Sequence, residues 1–201
     1  MKILVTAFEP FGDSALNSSW EVAKLLPDSI GSCKITKGLL PVDFRTAGDR
    51  LRSYIERHTP DVVLMLGQSR KFAGLSIERV ALNLMDAAKP DNNGYIPVNE
   101  VIYPDGKTAY LTTFHVRKLV EACHQKGIAA QVSNSAGTYV CNRVYYEALY
   151  TIAKNRLHTQ ALFVHLPYLP EQGKEPALKK DQLLAGIEGV IYKIFDNQLF
   201  I

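Results

Sequence analysis

Val62-Val63-Leu64-Met65-Leu66 is an unbroken apolar run, entered from Pro60-Asp61 and left at Gly67. A run this short between turn residues fits a strand buried on both faces, the kind found in a parallel sheet. Working outward, Ile3-Leu4-Val5-Thr6-Ala7-Phe8 repeats the pattern, and between the two runs Phe44, Ala47, Leu51, Tyr54 and Ile55 recur at helical spacing. Residues 34–40, 76–85, 130–134 and 161–166 are further strand candidates. Val116, Leu119, Val120 and Cys123 mark the buried face of a later helix, and Leu183, Leu184, Ile187, Val190, Ile191 and Ile194 that of a C-terminal one. Strands alternating with helices predict an α/β sandwich with helices on both faces of a largely parallel sheet. Residues 86–106, with three prolines and two glycines, and residues 166–176, with three prolines, resist regular assignment. Long irregular segments in a compact domain are often lids or subunit contacts.

The 201 residues are close to one ordinary domain, so a single domain spanning 1–201 is expected. With 47% hydrophobic and 21% charged residues the chain can bury a sizeable core and lacks the composition of a disordered protein. Lys and Arg total 23 against 20 Asp and Glu; a net charge of +3, dispersed along the chain, implies no nucleic-acid footprint. Cys33, Cys123 and Cys141 have no metal-ligand spacing and form no even-numbered framework, which points to free thiols in a reducing compartment such as the cytoplasm. The apolar start is broken at Glu9-Pro10, too short for a signal peptide or a membrane span, so neither export nor a membrane is expected.

Three residues carry potential chemistry. Cys141 ends the stretch Asn134-Ser135-Ala136-Gly137-Thr138-Tyr139-Val140-Cys141, where a strand passes through a glycine turn into a helix. In the first helical turn a thiol meets free N–H groups and the positive end of the helix dipole, which favour thiolate and can hold an oxyanion. Core packing is the competing reading, because Cys141, Val144, Ala148 and Ile152 are in phase on an apolar face. Cys123 reads as core, and Cys33 carries no signal beyond its strand. His165 lies in Leu162-Phe163-Val164-His165-Leu166-Pro167, at the C-terminal end of a buried strand, the edge where open α/β sheets place their sites. His58, His115, His124 and His158 sit at helix ends or in polar surroundings. Glu78, in Ile77-Glu78-Arg79-Val80-Ala81-Leu82-Asn83-Leu84, shares a period-two face with Val80, Leu82 and Leu84, an odd place for a carboxylate without a partner. A strand-end ion pair is the plainer alternative. A nucleophile, a base and a carboxylate are the parts of a cysteine triad, and no phosphate loop, Gly-x-Ser-x-Gly or metal cluster competes with that reading.

These segments together, with Thr6-Ala7-Phe8-Glu9-Pro10-Phe11-Gly12, Asn17, Gly67-Gln68 and His165-Leu166-Pro167, resemble the pyrrolidone carboxyl peptidases, or pyroglutamyl peptidases I, over essentially the whole chain. The resemblance implies a single-domain three-layer αβα sandwich with a mostly parallel, mixed central sheet, assembled as a homotetramer in the cytoplasm. It implies a cysteine peptidase that removes N-terminal L-pyroglutamate from peptides through a thioester and needs no metal or organic cofactor. Carried over by position, Cys141 is the nucleophile, His165 the general base and acid, and Glu78 the residue that orients the imidazole. Phe8, Phe11, Tyr139 and Val140 would surround the lactam ring, with Asn17 and Gln68 at its polar edge. One departure stands out: the family commonly reads Asp-Ala-Arg-Ile-Pro-Asp where this chain has Asp86-Ala87-Ala88-Lys89-Pro90-Asp91. Ala88 thus replaces an arginine near the site in relatives, and Lys89 is the expected substitute cation. The alternatives are a non-catalytic pyroglutamyl-peptide binder and, on architecture alone, a nucleoside phosphorylase.

Overall fold

The computed structural model describes residues 1–196. In chain order the elements are β1 (Lys2–Phe8), α1 (Ser18–Leu25), β2 (Ser29–Ile30), β3 (Cys33–Leu40), α2 (Ala47–His58), β4 (Val62–Gln68), β5 (Leu75–Glu78), β6 (Val80–Leu82), β7 (Ala109–Leu111), α3 (Val116–Gln125), β8 (Ala130–Ser133), α4 (Val140–Asn155), β9 (Gln160–Leu166) and α5 (Lys180–Phe195). Seven strands form one sheet in the order β2-β3-β1-β4-β9-β5-β8. β3, β1, β4 and β9 run parallel; β2 opposes β3, and β5 opposes β9 while pairing in parallel with β8. The chain direction therefore reverses between β9 and β5, in the interior of the sheet.

Alternation along the strands sorts the core into two layers. Ile3, Val5, Leu64, Leu66, Leu162 and Val164 face α1, α3 and α5, while Leu4, Phe8, Val63, Met65, Ala161 and Phe163 face α2 and α4. Because both faces are covered, the central strands read as continuous apolar runs, which is why residues 62–66 were recognisable. The result is the three-layer αβα sandwich with a mostly parallel, mixed sheet that was expected. Among the described residues no helix is long and apolar enough to cross a membrane.

The expected strand over 76–85 is instead two. β5 stays in the main sheet and ends at Glu78; the Arg79 N–H donates to the Ser133 carbonyl, and β6 leaves to pair antiparallel with β7 in a separate ribbon. Asn142 enforces the departure. Its buried side chain accepts from the Leu82 N–H at 2.9 Å and donates to the carbonyls of Leu82 and Leu84, both at 2.9 Å, supplying partners for backbone that has left the sheet. Glu78 and Val80 consequently belong to different sheets, and the shared face with Val80, Leu82 and Leu84 does not exist.

Residues 86–106 are irregular but fastened down. The buried Asp91 carboxylate accepts the backbone N–H groups of Phe44, Asn93 and Tyr95 at 3.0, 3.0 and 2.9 Å. Asn92 ties the segment to Glu9 and Pro10, and Met85 pairs with Glu100.

Candidate active site

Cys141 is the second residue of α4, as the turn-to-helix reading predicts. Gly137, at φ +83°, makes the turn in a left-handed conformation that a side chain would strain. The Arg143 N–H is the first to find an intrahelical acceptor, the carbonyl of Tyr139 at 3.1 Å, so the N–H groups of the preceding turn face outward from the helix end. Further along, the buried Glu147 carboxylate accepts Arg143 Nη1 at 2.6 Å, Arg52 Nε at 3.0 Å and the Tyr103 hydroxyl at 2.6 Å. Burial works to raise its pKa, but the two guanidiniums and the tyrosine hold it below the usual carboxylate range. This network pins the helix that carries Cys141 against α2.

His165 ends β9 one residue before its last, beside Gly67 on β4 and Ser76 on β5. In the antiparallel β5–β9 register Ser76 is directly opposite His165 and Glu78 lies on the diagonal, two residues along on the same face. That relation brings Glu78 Oε1 to 2.8 Å from His165 Nδ1, with both residues buried, Glu78 at 2% and His165 at 7% exposure. Nδ1 is thus engaged by Glu78, and Cys141 stands close enough to the imidazole to raise its pKa as well. Phe163 packs its ring 4.8 Å from that of His165 and so fixes the plane of the imidazole from below. Gly67 leaves room for both neighbours: a Cβ there would stand 2.7 Å from the Phe163 ring and 3.1 Å from Cys141 Sγ.

Burial lowers the pKa of His165, but the neighbouring Cys141 and Glu78 outweigh it and push the value up to about 9. The imidazole is therefore a cation at neutral pH, held between a carboxylate and the sulfur. The other two thiols are inert by comparison: Cys33 and Cys123 are fully buried, and burial pushes Cys123 up to about 12 and Cys33 in the same direction. Cys141 is the partly exposed one. The core reading of its helix face holds for Val144 and Ala148, which are fully buried, but not for the thiol.

Cys141, His165 and Glu78 line a single cavity of about 210 Å³, together with Gln68, Ser69, Lys71, Ser76, Gln131 and Tyr139. Burial, Asp91 and Cys141 push Tyr139 up to about 12, so its ring is a neutral wall. The Tyr139 hydroxyl donates to the Pro90 carbonyl at 2.8 Å, which joins the wall to the segment 86–106. Phe44 and Phe11 stand behind Tyr139 at 5.1 and 6.5 Å between ring centres.

The family model described as pyroglutamyl peptidase matches residues 1–195. The chain belongs to this pyroglutamyl peptidase family. It is 42% identical over 200 residues to the pyrrolidone-carboxylate peptidase of Streptococcus pyogenes serotype M12 (strain MGAS2096), covering 98% of this chain and 93% of the relative. Among solved structures it resembles pyroglutamyl peptidase I of Bacillus amyloliquefaciens at a TM-score of 0.95 and 34% identity, covering 100% of this chain and 99% of the other. It also resembles the pyrrolidone carboxyl peptidase of Thermococcus litoralis, at a TM-score of 0.92 and 34% identity, over 97% and 93% of the two chains.

The remaining expected site residues of this pyroglutamyl peptidase family member lie at varying depth. Gln68 lines the cavity, but its side-chain oxygen accepts the Ser18 N–H at 2.8 Å, which leaves its amide nitrogen for a ligand. Phe8 is buried beneath the site against Phe163, and Val140 is buried in the core; neither lines the cavity. Phe11 is half-buried and extends the aromatic wall from outside the lining. The buried Asn17 caps α1, accepting from the Ser19 N–H and donating to the Glu9 carbonyl at 2.8 Å, and does not reach the cavity. Ala88 and Lys89 are both exposed and outside the lining; the lysine at the cavity is Lys71. Lys71, in the turn between β4 and β5, and Ser76 and Gln131, each the second residue of a short strand, carry no distinguishing pattern in the sequence.

Proposed function

We propose that this chain is a cysteine omega-peptidase that releases L-pyroglutamate from the N-terminus of peptides. The observation that carries the reading is the placement of Cys141, at a helix N-terminus, in one cavity with the buried His165–Glu78 pair. Family membership gives the acyl group its identity.

Cys141 acts as thiolate against the His165 imidazolium. Sulfur attacks the pyroglutamyl carbonyl carbon, and the oxygen takes up negative charge facing the N–H groups at the start of α4. The tetrahedral adduct collapses as the carbon–nitrogen bond breaks, and the His165 proton goes to the leaving amine. His165, now neutral, takes a proton from water; the hydroxide adds to the thioester carbonyl, the carbon–sulfur bond breaks, and pyroglutamate leaves with thiolate and imidazolium restored. Glu78 holds the imidazole by Nδ1 through both half-reactions and stabilises its cationic form.

The flat lactam stacks against Tyr139, with Phe11 extending that wall and Phe8 and Phe163 beneath, while the Gln68 amide nitrogen meets its polar edge. A pocket that pairs the lactam N–H and C=O leaves those groups unpaired when proline is offered, which makes pyroglutamate strongly preferred. One peptidase domain in the cytoplasm, assembled as a homotetramer, completes the proposal. Exposed Ile96, Val98, Val101 and Leu111, on the irregular segment and the β6–β7 ribbon, offer apolar surface for such contacts.

Hydrolysis of a pyroglutamyl-coumarin amide, abolished by iodoacetamide and absent with the prolyl analogue, is the expected result. A protein that binds pyroglutamyl peptide without turning it over would establish the non-catalytic reading instead. Light scattering at micromolar concentration checks the assembly, and a monomer there refutes it.

A further inference from the structure

The cavity differs in chemistry along its length. Sheet order sets its axis: Tyr139 rests on Phe44 and Phe11, which follow β3 and β1, Gly67 against Cys141 is on β4, His165 is on β9, and Gln131 and Ser133 are on β8, with Ser69, Lys71 and Ser135 completing the polar lining. Lys71 contributes the one basic side chain of that lining apart from His165. Its Nζ lies 4.0 Å from the point a Cβ on Gly137 would occupy, directly across from the turn that leads into Cys141. None of the ion pairs among the described residues involves Lys71. The lining holds one carboxylate, Glu78, and its Oε1 is engaged by His165. The cleft thus presents a cation without a matching anion.

If the acyl ring rests on the aromatic end and the sulfur attacks its carbonyl, the peptide on the far side of the scissile bond extends toward the polar end. We propose that Lys71, with the hydroxyl and amide groups of Ser69, Gln131, Ser133 and Ser135, forms the leaving-peptide subsite and selects substrates with a carboxylate on the residue that follows pyroglutamate. The inference rests on the pyroglutamyl-peptidase reading. Two sources supply that carboxylate: an acidic side chain, or the free terminus of a pyroglutamyl dipeptide. Lys71 is exposed, so its contribution is that of a solvated pair, about 2- to 5-fold in kcat/KM at low ionic strength and less at high salt.

The experiment compares kcat/KM for pGlu-Glu-NH2, pGlu-Ala-OH, pGlu-Lys-NH2 and pGlu-Ala-NH2 in the native protein and in Lys71→Ala, Lys71→Arg and Lys71→Glu, each as a ratio to the neutral pGlu-Ala-NH2. The native protein and Lys71→Arg should favour at least one carboxylate-bearing substrate; preference for the first alone assigns the side chain, and for the second alone the terminus. Lys71→Ala should bring the ratio to one, and Lys71→Glu should turn it toward pGlu-Lys-NH2. Native ratios of one for both acids, or ratios unchanged by Lys71→Ala, overturn the proposal. Failure of the native protein to cleave pGlu-Ala-NH2 and the coumarin amide would instead overturn the reading on which it rests.

Discussion

Replacing Glu78 by Gln preserves the shape that meets His165 and removes the charge. In the native protein Oε1 receives the Nδ1 proton at 2.8 Å, while Oε2 is buried without a hydrogen-bond donor among the described residues. A hydrogen bond to a charged group contributes about 1.5–3 kcal/mol, or roughly 1–2 pK units of imidazolium stabilisation, part of which a neutral amide oxygen retains. The alkaline limb of kcat/KM reports loss of the His165 proton, and it should fall near the native value of about 9. In Glu78→Gln we expect it to move down by about one unit, with plateau turnover reduced by about 10- to 100-fold. Linkage gives a second readout. Because the folded pKa lies above the ordinary 6.5, His165 contributes stability that is present below pH 6.5 and lost as the pH rises through about 9. That decline should flatten in the variant. A pH–rate profile on the coumarin amide and urea titrations across the same range measure both effects. An alkaline limb that stays in place would refute the argument that Glu78 acts through the proton affinity of His165.

Brief iodoacetamide exposure of the native protein should label Cys141 well before Cys33 or Cys123, which are fully buried with raised pKa values; peptide mapping reads this, and equal labelling contradicts the nucleophile assignment. Cys141→Ala should abolish turnover of the coumarin amide while the circular dichroism melt stays cooperative, and retained activity would remove the mechanism. Lys89→Ala should leave turnover unchanged because Lys89 is exposed and outside the cavity, whereas a marked loss would restore it as the substitute for the arginine replaced by Ala88. Asn142→Ala should destabilise the protein by about 3 kcal/mol or more in denaturant titrations, since it leaves one N–H and two carbonyls of residues 82–84 without their partner.

What the sequence made legible follows a physical division. Strands buried on both faces leave unbroken apolar runs, so β1, β4 and β9 were visible to within a few residues, and the amphipathic faces of α2, α3 and α5 were equally plain. Short elements were not. α1, with an apolar face of only Val22 and Ala23 fully buried, passed unnoticed, although Asn17 before Ser18-Ser19 is a recognisable N-cap signal. The break between β5 and β6 was hidden because Val80, Ala81 and Leu82 continue the apolar composition, and the backbone that has left the sheet is met by a side chain sixty residues away in sequence, Asn142 to Leu82.

Glu78 shows how a buried partner of a histidine can be singled out by a pattern the structure does not contain. Its buried position was inferred from a shared face with Val80, Leu82 and Leu84, yet that face is split between two sheets. The carboxylate is buried for a different reason: β5 reverses direction against β9, and the antiparallel register sets Glu78 diagonally across from His165. A parallel neighbour in that place would need a crossover connection and could not enter β5 from the same edge at which β9 ends. The one reversal inside the sheet is therefore what lets a carboxylate approach the imidazole from the side opposite the thiol. Cys141 arrives on α4, which packs on the same face as Phe163, and its sulfur and the Glu78 carboxylate both act on one imidazole. A histidine so placed stays protonated in spite of its burial, and the proton it keeps is the one the leaving amine requires.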